Sequence, residues 1–484
     1  MPAFHIEHFG CRAARADGEA VSERLRSAGL GERKPSEADV VVVNTCSVTA
    51  EADRSARAFI RRTHRANPTA RIVVTGCYAQ RAPEEIANIQ GVSAVIGNSH
   101  KAFAPEISLR LAGIQVSSNV AQPSSFVSVQ SLLTQTIDER AIPIWADDRF
   151  AHSFLEEAEL LPGTQTRPNL KIQEGCTNRC TFCVIPQTRG HSRSLSQESI
   201  LRHVRDFVTA GGKELVLSGI NLGRWGHDLD KSTESSLVCL SALVQRMFDE
   251  TALPRLRLSS IEPMDWSSDL LALYREFSNG EHPRLARHTH LPLQSGSDAI
   301  LRRMYRRYRP WHYADRLAQI RAILPDAAIG ADVMIGFPGE SDAHFDESYR
   351  FIAAQPFTYL HLFPFSARPA TPAWEFHRQN PVPAQAVRER MEALRTLMAE
   401  KFRAFRTRFL GTTLSAVTVE PGPGATTEAV TDNFLKLSLD APLPANRIVT
   451  AQITALTNEG LSGSMPTAPS PTASSLTISS LAAF

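Results

Sequence analysis

Short runs of β-branched and other apolar residues, each followed by a helical stretch, recur in two blocks along this 484-residue chain, and no other feature limits its fold as much. In the first 110 residues, Asp39-Val40-Val41-Val42-Val43-Asn44 and Arg71-Ile72-Val73-Val74-Thr75-Gly76 read as buried strands, with helical stretches between them. Apolar runs of this length, bounded by turn residues, suit a parallel sheet covered on both faces. The alternation returns from about 166 to 396, with strands expected at 214–218, 255–259, 289–293, 331–335 and 358–362. The fold class expected is α/β: an N-terminal parallel-sheet domain, then a full or partial (β/α) barrel whose chemistry sits at the C-terminal strand ends.

The rest of the chain divides around these blocks. Residues 115–165 show no strong periodicity and read as a linker region with short elements. A charged helix is expected over 384–409. Residues 411–462 switch to β-like segments such as Thr413-Leu414-Ser415-Ala416-Val417-Thr418-Val419, broken by Pro421-Gly422-Pro423-Gly424, and read as a small β-barrel. From Gly463 the composition turns to Ser, Thr, Pro and Ala, which predicts a disordered tail. The expected units are therefore 1–114, a linker 115–165, 166–396, a basic helix end plus β-barrel over 397–462, and a tail over 463–484.

Three cysteines, Cys176, Cys180 and Cys183, stand in a C-x3-C-x2-C run with Phe182 before the last. Three thiolates on one loop can hold three irons of a [4Fe–4S] cubane and leave the fourth iron open, whereas four would close it into an electron carrier. An open iron can take a small chelate, and the amino and carboxylate groups of S-adenosylmethionine form one. A structural zinc site wants four ligands, commonly in two pairs, and no second pair lies nearby. The spacing resembles the signature of the radical S-adenosylmethionine (SAM) enzymes.

Bulk properties narrow the field little. A formal net charge of +2 gives no global field for nucleic acid, so any such site must come from local patches. No apolar run approaches the ~20 residues of a membrane span, and Met1-Pro2-Ala3-Phe4-His5 lacks the pattern of a secretory signal. Seven cysteines, mostly within motifs, fit a reducing cytoplasm with metal or redox chemistry better than a disulfide framework.

Cys11, Cys46 and Cys77 are far apart in sequence but alike in context. Cys46 follows the strand 40–43 through Asn44-Thr45, Cys77 follows the strand 72–74 through Thr75-Gly76, and Cys11 follows a short strand expected near 4–8. In open α/β sheets the C-terminal strand ends converge on one crevice. Three thiolates there could hold a second [4Fe–4S] cluster; the competing reading is three buried thiols.

Taken together, the chain resembles the methylthiotransferases, from about residue 5 to 462, with an N-terminal three-cysteine domain, a radical SAM domain and a C-terminal TRAM domain. The matching words include Asn44-Thr45-Cys46-Ser47-Val48-Thr49, Thr75-Gly76-Cys77-Tyr78-Ala79-Gln80, Cys183-Val184-Ile185-Pro186 with Thr188-Arg189-Gly190, Ser259-Ser260-Ile261-Glu262-Pro263, Pro292-Leu293-Gln294-Ser295-Gly296-Ser297-Asp298, and Asp332-Val333-Met334-Ile335-Gly336-Phe337-Pro338-Gly339-Glu340. They favour the branch acting on N6-threonylcarbamoyladenosine 37 of tRNA over those acting on isopentenyladenosine 37 or on ribosomal protein S12. Two departures stand out. After Cys11 the family's Lys, Asn and acidic places hold Arg12, Ala14 and Asp17, so the usual Asn is missing, and Glu174 stands where Asp is commoner. The resemblance implies two [4Fe–4S] clusters, on Cys11, Cys46, Cys77 and on Cys176, Cys180, Cys183. It also implies SAM, tRNA, an electron donor such as flavodoxin or ferredoxin, a sulfur source, and no membrane. In that scheme one SAM methylates a sulfur on the first cluster and another is cleaved at the second to a 5′-deoxyadenosyl radical. A non-catalytic iron–sulfur RNA-binding or redox-sensing protein is the reading of a different class.

SAM contacts are expected from Phe182, Gly219, Asn221, Ser260, Glu262 and Gln294, which stand in the cysteine loop or follow the barrel strands. His290 and His361 lie within strands and read as core histidines. For RNA, Arg54, Arg57, Arg61 and Arg65 fall on one face of a helix after Cys46, and Arg302, Arg303, Arg306 and Arg307 form a second patch interleaved with Tyr305 and Tyr308. Solvated helix faces are the plain alternative. The β-barrel segment is acidic (Glu420, Glu428, Asp432, Asp440 and Glu459 against Lys436 and Arg447), so the preceding helix, with Arg388, Arg390, Arg395, Lys401, Arg403, Arg406 and Arg408, is expected to supply cationic surface.

Overall fold

The computed structural model describes residues 2–114, 142–150, 166–229, 238–422 and 425–466. The remainder of the expected linker, and the expected tail from residue 467, lie outside the described residues.

The valine run does become a fully buried strand, because helices cover both of its faces. β1 (Ala3–His8), β2 (Gly31–Glu32), β3 (Val40–Thr45), β4 (Arg71–Gly76), β5 (Val92–Gly97) and β6 (Ile144–Trp145) form one parallel sheet in the order β2-β1-β3-β4-β5-β6. One face packs Phe4, Val40, Val42 and Val73 against the flanking helices; the other packs Val41, Val43, Ile72 and Val74 with Phe59 and Ile60 of the helix Ala50–Ala66. Thr49 starts that helix by accepting from the Ala52 N–H at 3.2 Å. β6 falls within the expected linker: residues 144–145 extend the first sheet by pairing with β5.

The central domain is an open barrel. β7 (Asn169–Glu174), β8 (Arg193–Ser194), β9 (Glu214–Gly219) and β10 (Arg255–Leu258) form a sheet in the order β10-β9-β7-β8, and β11 (His288–His290), β12 (Ala328–Ile335) and β13 (Tyr359–Pro364) form a second. Bridges Leu256↔Leu285 and Ser260↔His290 join the two across β10 and β11. β11 is shorter than expected as a regular strand, although the Leu291 and Leu293 N–H groups still donate to the Gly330 and Asp332 carbonyls of β12, and Gln294 beyond them takes a positive φ of 65°. Apolar side chains from Leu170, Ile172, Leu215, Leu217, Leu256, Leu258, Ala331 and Val333 meet the surrounding helices, so the alternate residues of these strands line the inside.

Downstream, the helix Ala384–Thr407 leads to a closed barrel of β14 (Thr413–Pro421), β15 (Thr427–Thr431), β16 (Lys436–Leu439), β17 (Ile448–Leu456) and β18 (Leu461–Ser464), in the order β14-β15-β16-β18-β17. Residues 463 and 464, assigned to the tail from composition, complete β18 against β16 and β17. This small barrel caps the N-terminal end of the central strands. Arg255 and Arg257 of β10 donate to Ser415 and to the Asp432 and Thr431 carbonyls, and Arg287 pairs with the buried Asp432. Asp432 is thus an interface group. The same holds for much of the basic helix: Arg390 pairs with Glu340 and Asp342, Arg406 donates to the carbonyls of Thr457 and Gly460, and Lys401 to those of Ala353 and Gln355. The carbonyls and carboxylates of packed neighbours thus take Arg390, Arg406 and Lys401 out of the expected cationic surface, whereas Arg388, Arg395, Arg403 and Arg408 are exposed.

Candidate active site and metal centres

In the first sheet the strand order reverses between β1 and β3, and ligands bind at such switch points beyond the carboxyl ends of the strands. Cys11 is the N-cap of the helix Arg12–Ser27 after β1, Cys46 follows β3, and Cys77 opens the helix Cys77–Arg81 directly after β4. Two glycines let these loops close up. A Cβ on Gly10 (φ 140°) would stand 2.9 Å from the Cys46 Cβ, and one on Gly76 (φ 99°) would stand 2.3 Å from the Thr45 carbonyl oxygen. The missing Asn leaves Ala14 buried in the first helical turn, where its carbonyl accepts from the Asn44 amide at the end of β3. Burial, then the neighbouring Cys77 and Cys11 sulfurs, push the Cys46 thiol up to about 12. Cys46 is thus close enough to Cys77 and Cys11 for negative charge on either to oppose its own ionisation, and a bound cation would relieve that repulsion.

The second triad sits at the mouth of the central barrel, in the loop after β7. Each sulfur receives a donor: Cys176 from the Asn178 N–H at 3.4 Å, Cys183 from the Ile185 N–H at 3.4 Å, and Cys180 from the Arg306 guanidinium at 3.1 Å. Burial and then Cys180 and Cys176 push the Cys183 thiol up to about 12, despite the Ile185 N–H. All seven cysteines are free thiols.

Around this loop lies a set of buried polar atoms without hydrogen-bond partners among the described residues: Asn221 Oδ1, Ser218 Oγ, Ser259 Oγ, Ser260 Oγ and Gln294 Oε1. They come from the ends of β9, β10 and β11. Such orphaned atoms are costly unless a polar ligand completes them, so Asn221, Ser260 and Gln294 offer hydrogen-bonding atoms to a polar ligand at this mouth. Gln294 also holds its backbone in the sparsely populated left-handed region. Glu262 is engaged by Asn178 at 3.2 Å and Arg306 at 3.0 Å and braces the cysteine loop. Gly219 approaches protein: a Cβ there would meet the Gln173 Cβ at 2.9 Å. Phe182 packs beside Met334, Phe337 and Phe363.

A buried ionic network, absent from the sequence reading, joins the two centres. Arg189, six residues past Cys183, donates through Nε to the Cys77 sulfur at 3.2 Å, through Nη1 to Glu174 at 2.5 Å and through Nη2 to Asp17 at 3.2 Å. Lys101 pairs with Asp17 at 2.6 Å and with Glu174 at 3.4 Å, and Lys171 pairs with both carboxylates. Asn98 donates to the Cys77 sulfur at 3.3 Å and to the Thr188 carbonyl at 2.8 Å. Three cations thus meet two carboxylates, and one of the three, Arg189, also reaches the Cys77 sulfur. Glu174, where the family more often has Asp, reaches all three cations. The hint in the sequence was Arg189 and Glu174 flanking the second triad within otherwise matched words.

The two expected RNA patches fare differently. Arg61 and Arg65 are exposed, as expected. Arg54 pairs with Glu51, and Arg57 is tied to the Tyr78 hydroxyl at 2.8 Å and Glu85 at 3.2 Å. In the second patch, Arg302, Arg303 and Arg307 are exposed, but Arg306 is buried on Cys180 and Glu262, and Tyr308 is buried with its hydroxyl on the carbonyls of Pro292 and Leu293. Arg306 is thus withdrawn from RNA contact because the cysteine loop and Glu262 hold it. His361 also departs from expectation: its side chain is 60% exposed and paired with Asp332.

Residues 3–97 match the Uncharacterized protein family UPF0004, and residues 170–352 match the Radical SAM superfamily. The threonylcarbamoyladenosine tRNA methylthiotransferase MtaB of Bacillus subtilis (strain 168) is 34% identical over 441 residues, covering 90% of this chain and 89% of its own. The tRNA-2-methylthio-N(6)-dimethylallyladenosine synthase of Lawsonia intracellularis is 31% identical over 401 residues, 82% of each chain. Among solved structures, the radical S-adenosylmethionine methyltransferase TsrM from Kitasatospora setae aligns over 77% of each chain with a TM-score of 0.47 and 13% identity.

Proposed function

Since the chain belongs to the radical SAM tRNA methylthiotransferases, we propose that it replaces the C2 hydrogen of N6-threonylcarbamoyladenosine 37 in tRNA with a methylthio group. It is a transferase, and its family's cofactors are a [4Fe–4S] cluster and SAM. The observation that carries the reading is the pair of three-cysteine crevices joined through Arg189, beside relatives of that activity along nine-tenths of the chain. The dimethylallyladenosine relative keeps isopentenyladenosine 37 as the second reading.

In this reading Cys176, Cys180 and Cys183 hold the cluster that works with SAM, and Cys11, Cys46 and Cys77 hold a second [4Fe–4S] cluster. Bound there, these groups supply a radical strong enough to open the C2–H bond and a site to carry the incoming sulfur; no acid–base side chain removes such a hydrogen at neutral pH. The chain's own residues prepare that chemistry. Asn178 and Arg306 hold the cysteine loop and offer N–H donors to its sulfurs. Asn221, Ser260 and Gln294 present unpaired polar atoms to orient a polar cofactor. Arg189, Lys101 and Lys171 supply fixed positive charge beside Cys77. The exposed Arg61, Arg65, Arg302, Arg303 and Arg307 meet the tRNA phosphates in this reading, which their exposure supports. An electron donor such as flavodoxin or ferredoxin, a sulfur source and a cytoplasmic location complete the reading. No helix among the described residues is long and apolar enough to cross a membrane.

The test is anaerobic incubation of the iron-reconstituted protein with SAM, reductant, sulfide and tRNA carrying threonylcarbamoyladenosine 37, followed by mass spectrometry of the nucleosides. The methylthiolated nucleoside is expected. In a parallel reaction with tRNA carrying isopentenyladenosine 37, modification of that tRNA alone would transfer the assignment to the second reading.

A further inference from the structure

Three polar side chains that the cofactor reading leaves unused meet on the inner wall of the open barrel. His290 Nε2 lies 3.2 Å from Asp332 Oδ2, and His361 Nδ1 lies 3.3 Å from Asp332 Oδ1. They belong to β11, β12 and β13, where Asp332 stands opposite His361 in register. Ala331, Val333, Leu360 and Leu362 face the helices, so alternation turns Asp332 and His361 inward. Two residues further along the strands, Met334 and Phe363 pack with Phe182 of the cysteine loop. The group therefore lies one layer beneath the mouth where the second cysteine triad sits.

Side-chain exposure rises across the group, from 10% at His290 through 27% at Asp332 to 60% at His361. β13 is the edge strand of its sheet, so the exposed end faces the open side of the barrel. From below, the Tyr359 hydroxyl lies 3.4 Å from His290 Nδ1 and 2.7 Å from His288 Nε2, which fixes the His290 ring. Burial works against the Asp332 carboxylate, but the two imidazoles hold its pKa well below the usual range. The group therefore keeps an ionised acceptor and, at its exposed end, an imidazole with a second nitrogen to offer.

We propose that Asp332 and His361, braced by His290, recognise the substituent on N6 of the target adenosine. This rests on the function proposed above. A threonylcarbamoyl group carries a carboxylate, a hydroxyl and urea N–H groups. With both ring nitrogens protonated between two carboxylates, His361 donates through Nδ1 to Asp332 and through Nε2 to the threonylcarbamoyl carboxylate, and Asp332 accepts from the substituent's hydroxyl or a urea N–H. An isopentenyl group has no partner for either, and it would desolvate this polar group without returning a hydrogen bond. The barrel wall thereby selects the polar modification over the apolar one.

The test is the affinity of the reconstituted protein for two anticodon stem-loops that differ only in carrying threonylcarbamoyladenosine or adenosine at position 37. The wild type is expected to prefer the modified loop. His361→Leu should lose ~10- to 100-fold of that preference, the scale of one hydrogen bond to a charged group. His361→Gln, which keeps a donor, should recover part of it. Equal iron content in all three proteins checks folding. A wild type with no preference, or a preference unchanged in His361→Leu, would overturn the proposal. Methylthiolation of threonylcarbamoyladenosine tRNA by the wild type is scored separately, so loss of the parent function and loss of this recognition role are read apart.

Discussion

The Arg189 guanidinium donates to the Cys77 sulfur at 3.2 Å although 112 positions separate the two residues. Arg189 ends the helix Ile185–Arg189 that follows the cysteine loop of the central barrel, and Cys77 stands at the end of β4 in the N-terminal sheet. The contact fixes one three-cysteine centre relative to the other. It works only inside the buried network of Asp17, Lys101, Lys171 and Glu174.

Arg189→Leu should therefore destabilise the metal-free protein. It leaves Asp17 and Glu174 buried with fewer cations, and breaking a buried ionic group from one side costs about 3–5 kcal/mol. An anaerobic denaturant titration of metal-free wild type and variant measures this. Superimposable unfolding curves would mean that the network contributes nothing to docking the two domains.

Acid should act on the base of the central barrel. Glu214 is fully buried, and burial alone would raise its pKa, yet Arg257, Arg167 and Arg255 hold it far below the usual carboxylate value. The folded pKa lies below the unfolded one, so the stabilisation is present above about 4.5 and is lost as pH falls, because only the unfolded chain then takes up the proton. Glu214→Gln should be less stable than wild type at pH 7, and the gap should narrow below about pH 4.5. A gap independent of pH would show that Glu214 is not the group responsible.

Much of this was legible in the sequence, for identifiable reasons. The valine run of β3 and the strand β4 are apolar on both faces, so residue type alone marked them. The strand β7 carries the second cysteine loop and is not among the strands expected from the sequence. Its inward residues Asn169, Lys171 and Gln173 alternate with Leu170 and Ile172, and a strand with a polar inner face reads as a loop until its sheet is known. The cysteines were visible from spacing and strand context. Arg189, Asp17 and Lys101 were not, because they act only once two domains meet. The arginine run 302–309 misled in part: it reads as one charged surface, but the chain turns at Tyr305, where φ is 58°, and buries Arg306 and Tyr308.

That correction separates two arginine roles. Replacing Arg61 and Arg65 together by Ala should weaken tRNA binding and shallow its salt dependence, by up to ~0.7–0.9 units of log K against log salt for each lost contact. Arg306→Ala should leave that slope unchanged and instead lower the iron retained by the Cys176 triad, since Arg306 holds Cys180 and Glu262. Filter binding across a salt series, with iron analysis, reads both effects. A shallower slope in the Arg306 variant would return that residue to the RNA surface.

The most direct measurement compares Cys46→Ala with the wild type in one anaerobic assay that reads both 5′-deoxyadenosine from SAM and the methylthiolated nucleoside in tRNA. Cys46 lies in the crevice of Cys11 and Cys77, apart from the cysteine loop at the barrel mouth. The two-centre account predicts that the variant still forms 5′-deoxyadenosine under reduction and makes no methylthiolated nucleoside. Normal product formation by Cys46→Ala would contradict it.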